Sequence, residues 1–431
     1  MRWVAAFLVF GNHFLFMQFA TPIGSEMPQG SDLVFAILFG DSGQAVLSFF
    51  FVLSGFVLTW STPLDMRATE FWQRRMAKIY PITVVTAVIA FFLFGLVHGK
   101  WTDWKVVVTN LLLVQSWSPD QAHSLGLNPV LWSLSCEMFF YLFLPPMLIL
   151  FAQASKRALW TTAIGAVAFT AIVPRLIGGT FDLHQPAPPM LAPVENFHTQ
   201  FSYWVTMTFP VTRFAEFVLG AAVAMLMLRG VRSRINVPTA LVLCVLAFAV
   251  NMFVPAYWRI AAVVMVPFAI LIAALASADL TGRWSPTRSR LMVWLGNLTF
   301  CFYAVHVLFV LFTIDAKSIM SGGENRDFPR QWMATIGLID NPRTPLPVWG
   351  NLLMFLLYLT VAMFAAWVLY RTVELPATRG LRRFIKTPRR TVVPAEAPVS
   401  PAPAGAAAVS SAEQDAPVSP APAGELDPSR R

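Results

Sequence analysis

The chain opens with an apolar stretch, Met1-Arg2-Trp3-Val4-Ala5-Ala6-Phe7-Leu8-Val9-Phe10-Gly11-Asn12-His13-Phe14-Leu15-Phe16-Met17, long enough to cross a bilayer. Arg2 and His13 are eleven residues apart, so on a helix they fall within roughly 20° of one face, with about 16 Å of rise between them. We therefore predict a spanning helix with Arg2 at the water boundary and His13 near the midplane, where an ionisable group points to function. A core histidine bonded to a neighbouring helix is the alternative, and a cleaved signal peptide is a weaker one.

The composition predicts a polytopic membrane protein. Of 431 residues, 57% are hydrophobic and 12% are charged, and the mean hydropathy is +0.62, which excludes an ordinary soluble domain. The net charge of +9 does not indicate nucleic-acid binding, because the basic residues lie at the ends of apolar runs. Cys136, Cys244 and Cys301 lack metal or disulfide spacing, so we expect three buried thiols and no metal site.

The apolar runs predict an all-α membrane helix bundle of about ten transmembrane helices. The predicted spans are 3–20, 44–60, 80–98, 130–151, 158–173, 213–228, 237–254, 259–276, 291–314 and 348–370. An even number places both termini on one side. If that side is the cytoplasm, the short inner loops hold twelve Lys or Arg in 47 residues and the outer loops hold seven in 130. The positive-inside rule then predicts cytoplasmic N- and C-termini.

Three further segments do not read as spans. Residues 33–40 and 106–117 are apolar but too short, which predicts re-entrant or interfacial pieces. Residues 380–390 form a basic juxtamembrane segment, either a topology anchor or a contact with anionic lipid. From 391 to 431 the chain is rich in Pro and Ala and repeats one nonapeptide at 397–405 and 416–424, which predicts a disordered tail. The transmembrane domain is thus expected to cover 1–379.

Two segments after the first helix carry polar groups that suit a site. Ser54 and Gly55 in the second helix allow close backbone approach and leave a hydroxyl in an apolar wall, although packing alone explains them equally well. Arg74, Arg75 and Lys78 follow that helix in a cytoplasmic loop. They could take phosphate from a nucleotide-like cofactor, since Arg75 and Lys78 share a face if the loop is helical.

Glu137 lies in the first turns of the fourth predicted helix, between Trp132 and Tyr141. A carboxylate at this depth must be ionised against a cation, such as Arg213, or protonated and hydrogen-bonded. Tyr141 falls at i+4 from Glu137 and Trp132 at i−5, so we expect Tyr141 and not Trp132 to line the same cavity as Glu137.

Taken together, these residues form six motifs in a fixed order. They are Arg2-x10-His13, Phe50-Phe51-x-x-Ser54-Gly55, Arg75-x-x-Lys78-Ile79-Tyr80-Pro81, Trp132-Ser133-Leu134-Ser135-x-Glu137, Arg213-x-x-Glu216-Phe217-x-x-Gly220 and Leu295-Gly296-x5-Phe302-Tyr303-x-x-His306. In this order, over residues 2 to 379, the sequence resembles acyltransferase family 3, bacterial integral-membrane O-acyltransferases that act on surface glycans, lipooligosaccharides and macrolide sugars.

The resemblance implies transfer of an acyl group, with acetyl expected, from acyl-CoA to a hydroxyl of a glycan, lipid-linked sugar or macrolide acceptor. It makes His13 the essential histidine, as base or acyl carrier, with Arg2 its paired arginine. It implies that Arg75 and Lys78 bind the phosphates of CoA. It also implies that the protein lies in the bacterial plasma membrane and holds no permanently bound cofactor. Two features depart from the family. Lys78 stands where an arginine is usual, which loses the planar fork, and Arg2 directly follows the initiator, which raises an upstream start as an alternative.

Other functions stay open at this point. In a proton-coupled transporter or flippase, Arg2, His13, Glu137 and His306 would form a relay, but we find no internal repeat relating the two halves. A structural scaffold explains none of the buried ionisable groups. For the acceptor, Trp101, Trp104, Trp117 and Trp204 could stack on sugar rings, although tryptophan is common at any membrane interface.

Overall fold

The fold is all-α in this computed structural model, which describes residues 1–18, 31–40, 42–97, 99, 101–180, 199–282, 289–313, 335, 337 and 348–384. Over these residues there is no β-strand, as the sequence predicts. The helices are α1 Arg2–Gln18, α2 Ser31–Phe39, α3 Ser42–Ser61, α4 Ala68–Val97, α5 Trp104–Leu111, α6 Gln121–Ser124, α7 Trp132–Gln153, α8 Lys156–Thr180, α9 Gln200–Tyr203, α10 Pro210–Leu228, α11 Val237–Asn251, α12 Ala256–Arg259, α13 Met265–Leu280, α14 Arg290–Thr313, α15 Val348–Leu369 and α16 Leu375–Phe384.

Two π-helical turns interrupt this set. They are Trp204–Thr208, directly before α10, and Tyr370–Glu374, between α15 and α16. Two 3₁₀ turns, Gln115–Trp117 and Pro129–Leu131, belong to the short segments between α5 and α7. The predicted short piece 106–117 is therefore a short helix and a turn.

Each of the ten predicted spans overlaps a helix, but the count of about ten is not confirmed. Among the residues that the structure describes, seven stretches are long and apolar enough to cross a membrane: Leu33–Ser61, Ala68–Leu96, Pro129–Gln153, Lys156–Thr180, Gln200–Leu228, Arg290–Phe309 and Val348–Gly380. The other three predicted spans correspond to α1, α11 and α13, which have only 17, 15 and 16 residues. The predicted short piece 33–40 coincides with α2, at the start of the first of these stretches.

Two predicted boundaries are wrong for the same physical reason. The sequence prediction starts a helix at residue 80 and ends another at 173, next to Pro81 and Pro174. In the structure α4 begins twelve residues earlier, at Ala68, and α8 continues to Thr180, so both prolines lie inside helices. Proline usually breaks a soluble helix, but apolar helices tolerate it because neighbouring groups satisfy the freed carbonyls. The loop predicted to carry Arg75 and Lys78 is therefore helical.

The closest helix crossing joins α3 and α10 through two glycines. A Cβ placed on Gly55 would clash with the backbone carbonyl oxygen of Phe217, and one placed on Gly220 would clash with that of Val52. Small residues at such a crossing let two backbones touch, which is how apolar helices associate in a bilayer. The crossing fixes the position of Ser54, one residue before Gly55.

The remaining bundle packs around this pair. α1 packs against α3 and α14, α14 packs against α15, and α7 packs against α10. Arg229, just after α10, donates to the terminal carbonyls of α7 at Phe151 and Ala152, 2.7 and 2.8 Å away, which caps carbonyls that have no partner within their helix. Large apolar side chains such as Leu150 on α7 and Val245 on α11 stay exposed, as expected of surfaces that face lipid.

The C-terminal predictions lie mostly outside the described residues. The chain divides into residues 1–386 and 387–431, and the structure describes the first unit only to Phe384. The basic juxtamembrane segment is described from residue 380 to residue 384 as part of α16. The remainder of that segment and the predicted disordered tail at 391–431 fall outside the described residues.

Candidate active site

A cavity of about 150 Å³ lies between five helices of the bundle. Its polar lining comes from separate parts of the sequence: Arg2 of α1, Ser54 of α3, Arg75 and Lys78 of α4, Glu137 and Tyr141 of α7. Arg75 and Lys78 share a face because they are three residues apart on a helix. The structure thus brings together six of the residues that the sequence singled out.

Glu137 is the carboxylate of this cavity. The Tyr141 hydroxyl donates to its Oε2 atom, and the cations Arg2, Arg75 and Lys78 lie within electrostatic range of it. As the helical spacing predicts, Tyr141 lines the cavity together with Glu137 and Trp132 does not. Trp132 instead lies against Phe51, with ring centroids 6.3 Å apart.

α14 is the fifth helix that lines the cavity, and three of its lining residues, Asn297, Thr299 and Phe300, were not selected from the sequence. Gly296, Thr299, Phe300 and Tyr303 line it at helical spacings of i, i+3, i+4 and i+7, together with Asn297. This periodicity was visible in the sequence, where Gly296 and Tyr303 already belong to one motif. Asn297 and Thr299 add polar groups to the lining of the cavity that Arg2, Arg75 and Lys78 also line.

His13 and His306 form a direct pair. Their Nδ1 and Nε2 atoms are 2.8 Å apart, although 293 residues separate them in sequence. The two rings are nearly parallel, at 15°, with centroids 5.1 Å apart. His306 is fully buried, whereas His13 is half-buried.

Neither histidine lines the cavity itself. Tyr303 does line it, and its ring lies 5.9 Å from the His306 ring, one turn along α14. The Tyr303 hydroxyl donates to the Val130 carbonyl at 2.9 Å and is 2.8 Å from Ser133 Oγ. Tyr303 therefore forms the wall between the cavity and the histidine pair.

Arg213 and Glu216 form a buried ionic pair that is separate from Glu137. The Arg213 Nε and Glu216 Oε2 atoms are 3.1 Å apart, with the side chains 2% and 0% exposed. Ser48 donates to the other oxygen of Glu216, and the guanidinium lies over the Phe51 ring at 5.1 Å. Arg213 therefore pairs with Glu216 and not with Glu137, because an i, i+3 neighbour on α10 is always within reach.

A small cavity of about 10 Å³ adjoins Arg213 and Glu216. This space is about that of one water molecule. Arg213, Glu216 and Ser48 thus form a closed group that no substrate of ordinary size can enter.

Arg74 differs from its neighbours on α4. It donates to Glu70 at 2.5 Å and is not part of the cavity lining. The three basic residues that the sequence grouped together therefore divide into two that face the cavity and one that forms a partly exposed ion pair.

Glu374 is a buried carboxylate that the sequence reasoning missed. It ends the π-helical turn Tyr370–Glu374 and accepts from the Cys301 thiol at 3.0 Å. Lys78 is within its electrostatic range. The sequence gives little signal for it, because the extra residue of a π-helical turn cannot be read from apolar periodicity.

The cysteines behave as expected from their spacing. Cys136, Cys244 and Cys301 are all buried and free of disulfides. Within the part of the chain that the structure describes, no group of three His, Cys, Asp or Glu side chains could hold a metal ion.

Comparison with known proteins identifies the family of the chain. The family model described as an acyltransferase domain, that of acyltransferase family 3, matches residues 1–371. The chain therefore belongs to acyltransferase family 3, whose members transfer acyl groups.

A curated relative, "Acyltransferase MdmB" of Streptomyces mycarofaciens, is 35% identical over 394 residues, which cover 90% of this chain and 93% of that protein. No solved structure matches the chain. An acyltransferase needs an acyl donor and an acceptor, and the apolar helices indicate that this one is a membrane protein.

Proposed function

We propose that this protein is an acyl-CoA-dependent O-acyltransferase of the bacterial plasma membrane. It would move an acyl group, with acetyl expected, to a hydroxyl of a carbohydrate or glycosylated acceptor. The observation that supports this most is the cavity, where three cations, Arg2, Arg75 and Lys78, surround one carboxylate, Glu137. A site with surplus positive charge favours an anionic ligand, and the phosphates of CoA are anionic.

The volume of the cavity limits which part of the donor it holds. At about 150 Å³ it is smaller than the roughly 300–1,000 Å³ of pockets that enclose a drug-sized ligand. We infer that it takes the acyl-pantetheine end of the donor, with the phosphates at its cationic mouth. Tyr303 lines the cavity and its ring lies 5.9 Å from that of His306, so the thioester would approach His13 from this side.

The chemistry follows from the poor nucleophilicity of a hydroxyl group. A neutral imidazole of His13 takes the hydroxyl proton while the oxygen attacks the thioester carbonyl carbon. The C–O bond forms, the C–S bond breaks, and the sulfur leaves with the electron pair and receives the proton. His13 could instead accept the acyl group and pass it to the hydroxyl.

Two parts of the proposal depend on topology. The loop charges favour cytoplasmic termini, which would put Arg2, Arg75 and Lys78 on the side where CoA is present. The acceptor would then approach from the opposite face.

A direct test uses purified protein, labelled acetyl-CoA and a panel of hydroxyl acceptors: a surface-type oligosaccharide, a lipid-linked sugar and a macrolide. We expect acceptor-dependent release of free CoA, with the label in an ester on one acceptor. His13→Ala should lower this rate at least about 1,000-fold, within the range for loss of a general base, while leaving the melting temperature in detergent unchanged. His123→Ala is the matched control, because His123 pairs with Asp120 outside the cavity.

Other outcomes would contradict the proposal. If acetyl-CoA neither raises the melting temperature nor yields an ester on any acceptor, the donor assignment is wrong. If His13→Ala retains more than a few per cent of the rate, His13 is outside the mechanism. Proton flux in proteoliposomes that depends on His13 in the absence of acetyl-CoA would favour the transporter alternative.

A further inference from the structure

The hydrogen bonds of His306 determine which nitrogen of its ring carries the proton. Its Nδ1 lies 3.0 Å from the backbone carbonyl oxygen of Phe302. A carbonyl oxygen only accepts, so Nδ1 must be the protonated nitrogen. In a neutral ring the other nitrogen, Nε2, then bears a lone pair and accepts.

The protonation state of His306 determines which nitrogen of His13 carries a proton. The Nε2 atom of His306 is 2.8 Å from Nδ1 of His13. Because Nε2 accepts, Nδ1 of His13 must donate and therefore carries its proton. The remaining nitrogen of His13, Nε2, then bears the lone pair of a neutral imidazole, so any group that meets it must be a donor.

A charged His306 would reverse this order, and its surroundings argue against a charge. The ring lies among Phe10, Phe302 and Tyr303, with centroids 6.1, 5.4 and 5.9 Å away. Among the residues that the structure describes, no carboxylate forms an ion pair with it. An imidazolium without a counter-ion in such a place is costly, so the neutral ring is favoured.

We propose that His306 is a positioning residue that holds His13 with its proton on Nδ1 and its lone pair on Nε2. This inference rests on the proposed function and specifies it, because it makes Nε2 of His13 the atom that removes the proton of the acceptor hydroxyl. As the O–H bond breaks and the Nε2–H bond forms, His13 becomes a cation. Its Nδ1–H still donates to His306, which stabilises that charge.

The helix geometry makes this proposal testable by substitution. The Phe302 carbonyl is also the i−4 acceptor of the His306 backbone within α14, so removal of the imidazole leaves no buried carbonyl without a partner. His306→Gln places an amide oxygen where an acceptor can meet His13 Nδ1. His306→Leu offers no acceptor at a similar volume.

The first readout is spectroscopic and does not depend on activity. In protein labelled with ¹⁵N-histidine, long-range ¹H–¹⁵N correlations distinguish a bare nitrogen from a protonated one. The His13 signals are assigned by their loss in His13→Ala. We expect Nδ1–H and a bare Nε2 in the wild type and in His306→Gln, and a mixture of tautomers in His306→Leu. An Nε2–H tautomer in the wild type would overturn the proposal.

The second readout is kinetic. His306→Leu should lower kcat about 100-fold with a similar KM for acetyl-CoA, and His306→Gln should recover at least about a tenth of the wild-type rate, as expected when only the tautomer of a base is at stake. Wild-type kcat in His306→Leu would refute the role of His306 while leaving the acyltransferase proposal intact. Absence of ester formation by the wild type, with the predicted His13 tautomer present, would refute the proposed function alone.

Discussion

The described part of the molecule contains two ionic groups that look alike in sequence and differ in structure. In the open group, Arg2, Arg75 and Lys78 surround Glu137 at a cavity of about 150 Å³. In the closed group, Arg213 pairs one to one with Glu216, and the adjoining space is about 10 Å³. The open group has more cations than carboxylates, and the closed group is balanced.

The difference shows how a ligand-binding group can be distinguished from an ion pair that only stabilises the fold. A balanced buried pair satisfies its own charges and needs no ligand, so its loss should appear mainly in stability. A cavity lined by three cations and one carboxylate favours an anionic ligand, so its loss should appear mainly in activity. The two groups also differ in burial: Arg213 and Glu216 are 2% and 0% exposed, whereas Arg75, Lys78 and Glu137 are half-buried and Arg2 is exposed.

The largest expected effect on stability comes from Glu216→Gln in the closed group. This change leaves Arg213 buried without its negative partner, and removing one member of a buried pair costs about 3–5 kcal/mol. We expect a marked fall in the melting temperature in detergent and in the yield of folded protein. Any protein that does fold should keep a near-normal KM for acetyl-CoA.

The double variant Arg213→Met, Glu216→Leu serves as the control for this change. Replacing both members of a buried pair with apolar residues is often close to neutral, so the double variant should melt near the wild type. If Glu216→Gln instead melts normally and loses turnover, the closed group is functional and the contrast between the two groups fails.

The matching change in the open group is Glu137→Gln. The amide keeps the shape and the hydrogen bond to Tyr141 but removes the charge that the three cations share. We expect turnover to fall at least about tenfold, a change of about 1.4 kcal/mol in transition-state stabilisation, with expression nearly normal. If the Gln variant equals the wild type in both turnover and melting, Glu137 is only a hydrogen-bonding strut.

Much of the fold could be predicted from the sequence, because apolar runs and helical spacing are local signals. They predicted the helix class, the shared face of Glu137 and Tyr141, and the shared face of Arg75 and Lys78. They could not predict the contact between His13 and His306, since no local pattern relates residues 293 positions apart. Arg213 and Glu216 are three residues apart, a spacing that predicts a pair on a helix. The sequence analysis nevertheless offered Arg213 as a partner for Glu137, whereas it pairs with Glu216.

Two further features were not predicted from the sequence. The length of α4 was missed because only its apolar part, from residue 80, was predicted as a span, whereas the helix begins at Ala68. Glu374 was missed because one extra residue in a π-helical turn redirects a side chain without altering the composition. Sequence patterns therefore supplied most of the polar residues of the cavity, while the tertiary contacts determined which of them meet.

Arg75→Ala and Lys78→Ala test the positive charge of the open group. Each should raise the KM for acetyl-CoA about fivefold with little change in kcat, the result expected when binding is lost equally from ground and transition states. Omitting the 3′-phosphate of the donor should erase the difference between one of these variants and the wild type. A collapse of kcat at constant KM would instead place the residue at the reacting atoms.

The smallest effect is expected from Arg74→Ala, which separates position from charge. Arg74 has the same charge as Arg75 and is its neighbour on α4, but its guanidinium donates to Glu70 at 2.5 Å and lies outside the cavity lining. A partly exposed i, i+4 pair contributes only about 0.3–0.5 kcal/mol, so stability should change little. The KM for acetyl-CoA should stay within about twofold of the wild type, since no uniform binding is lost. If Arg74→Ala raises the KM for acetyl-CoA as much as Arg75→Ala does, the ligand responds to the total positive charge at this end of α4. The residues that line the cavity would then not define the binding site.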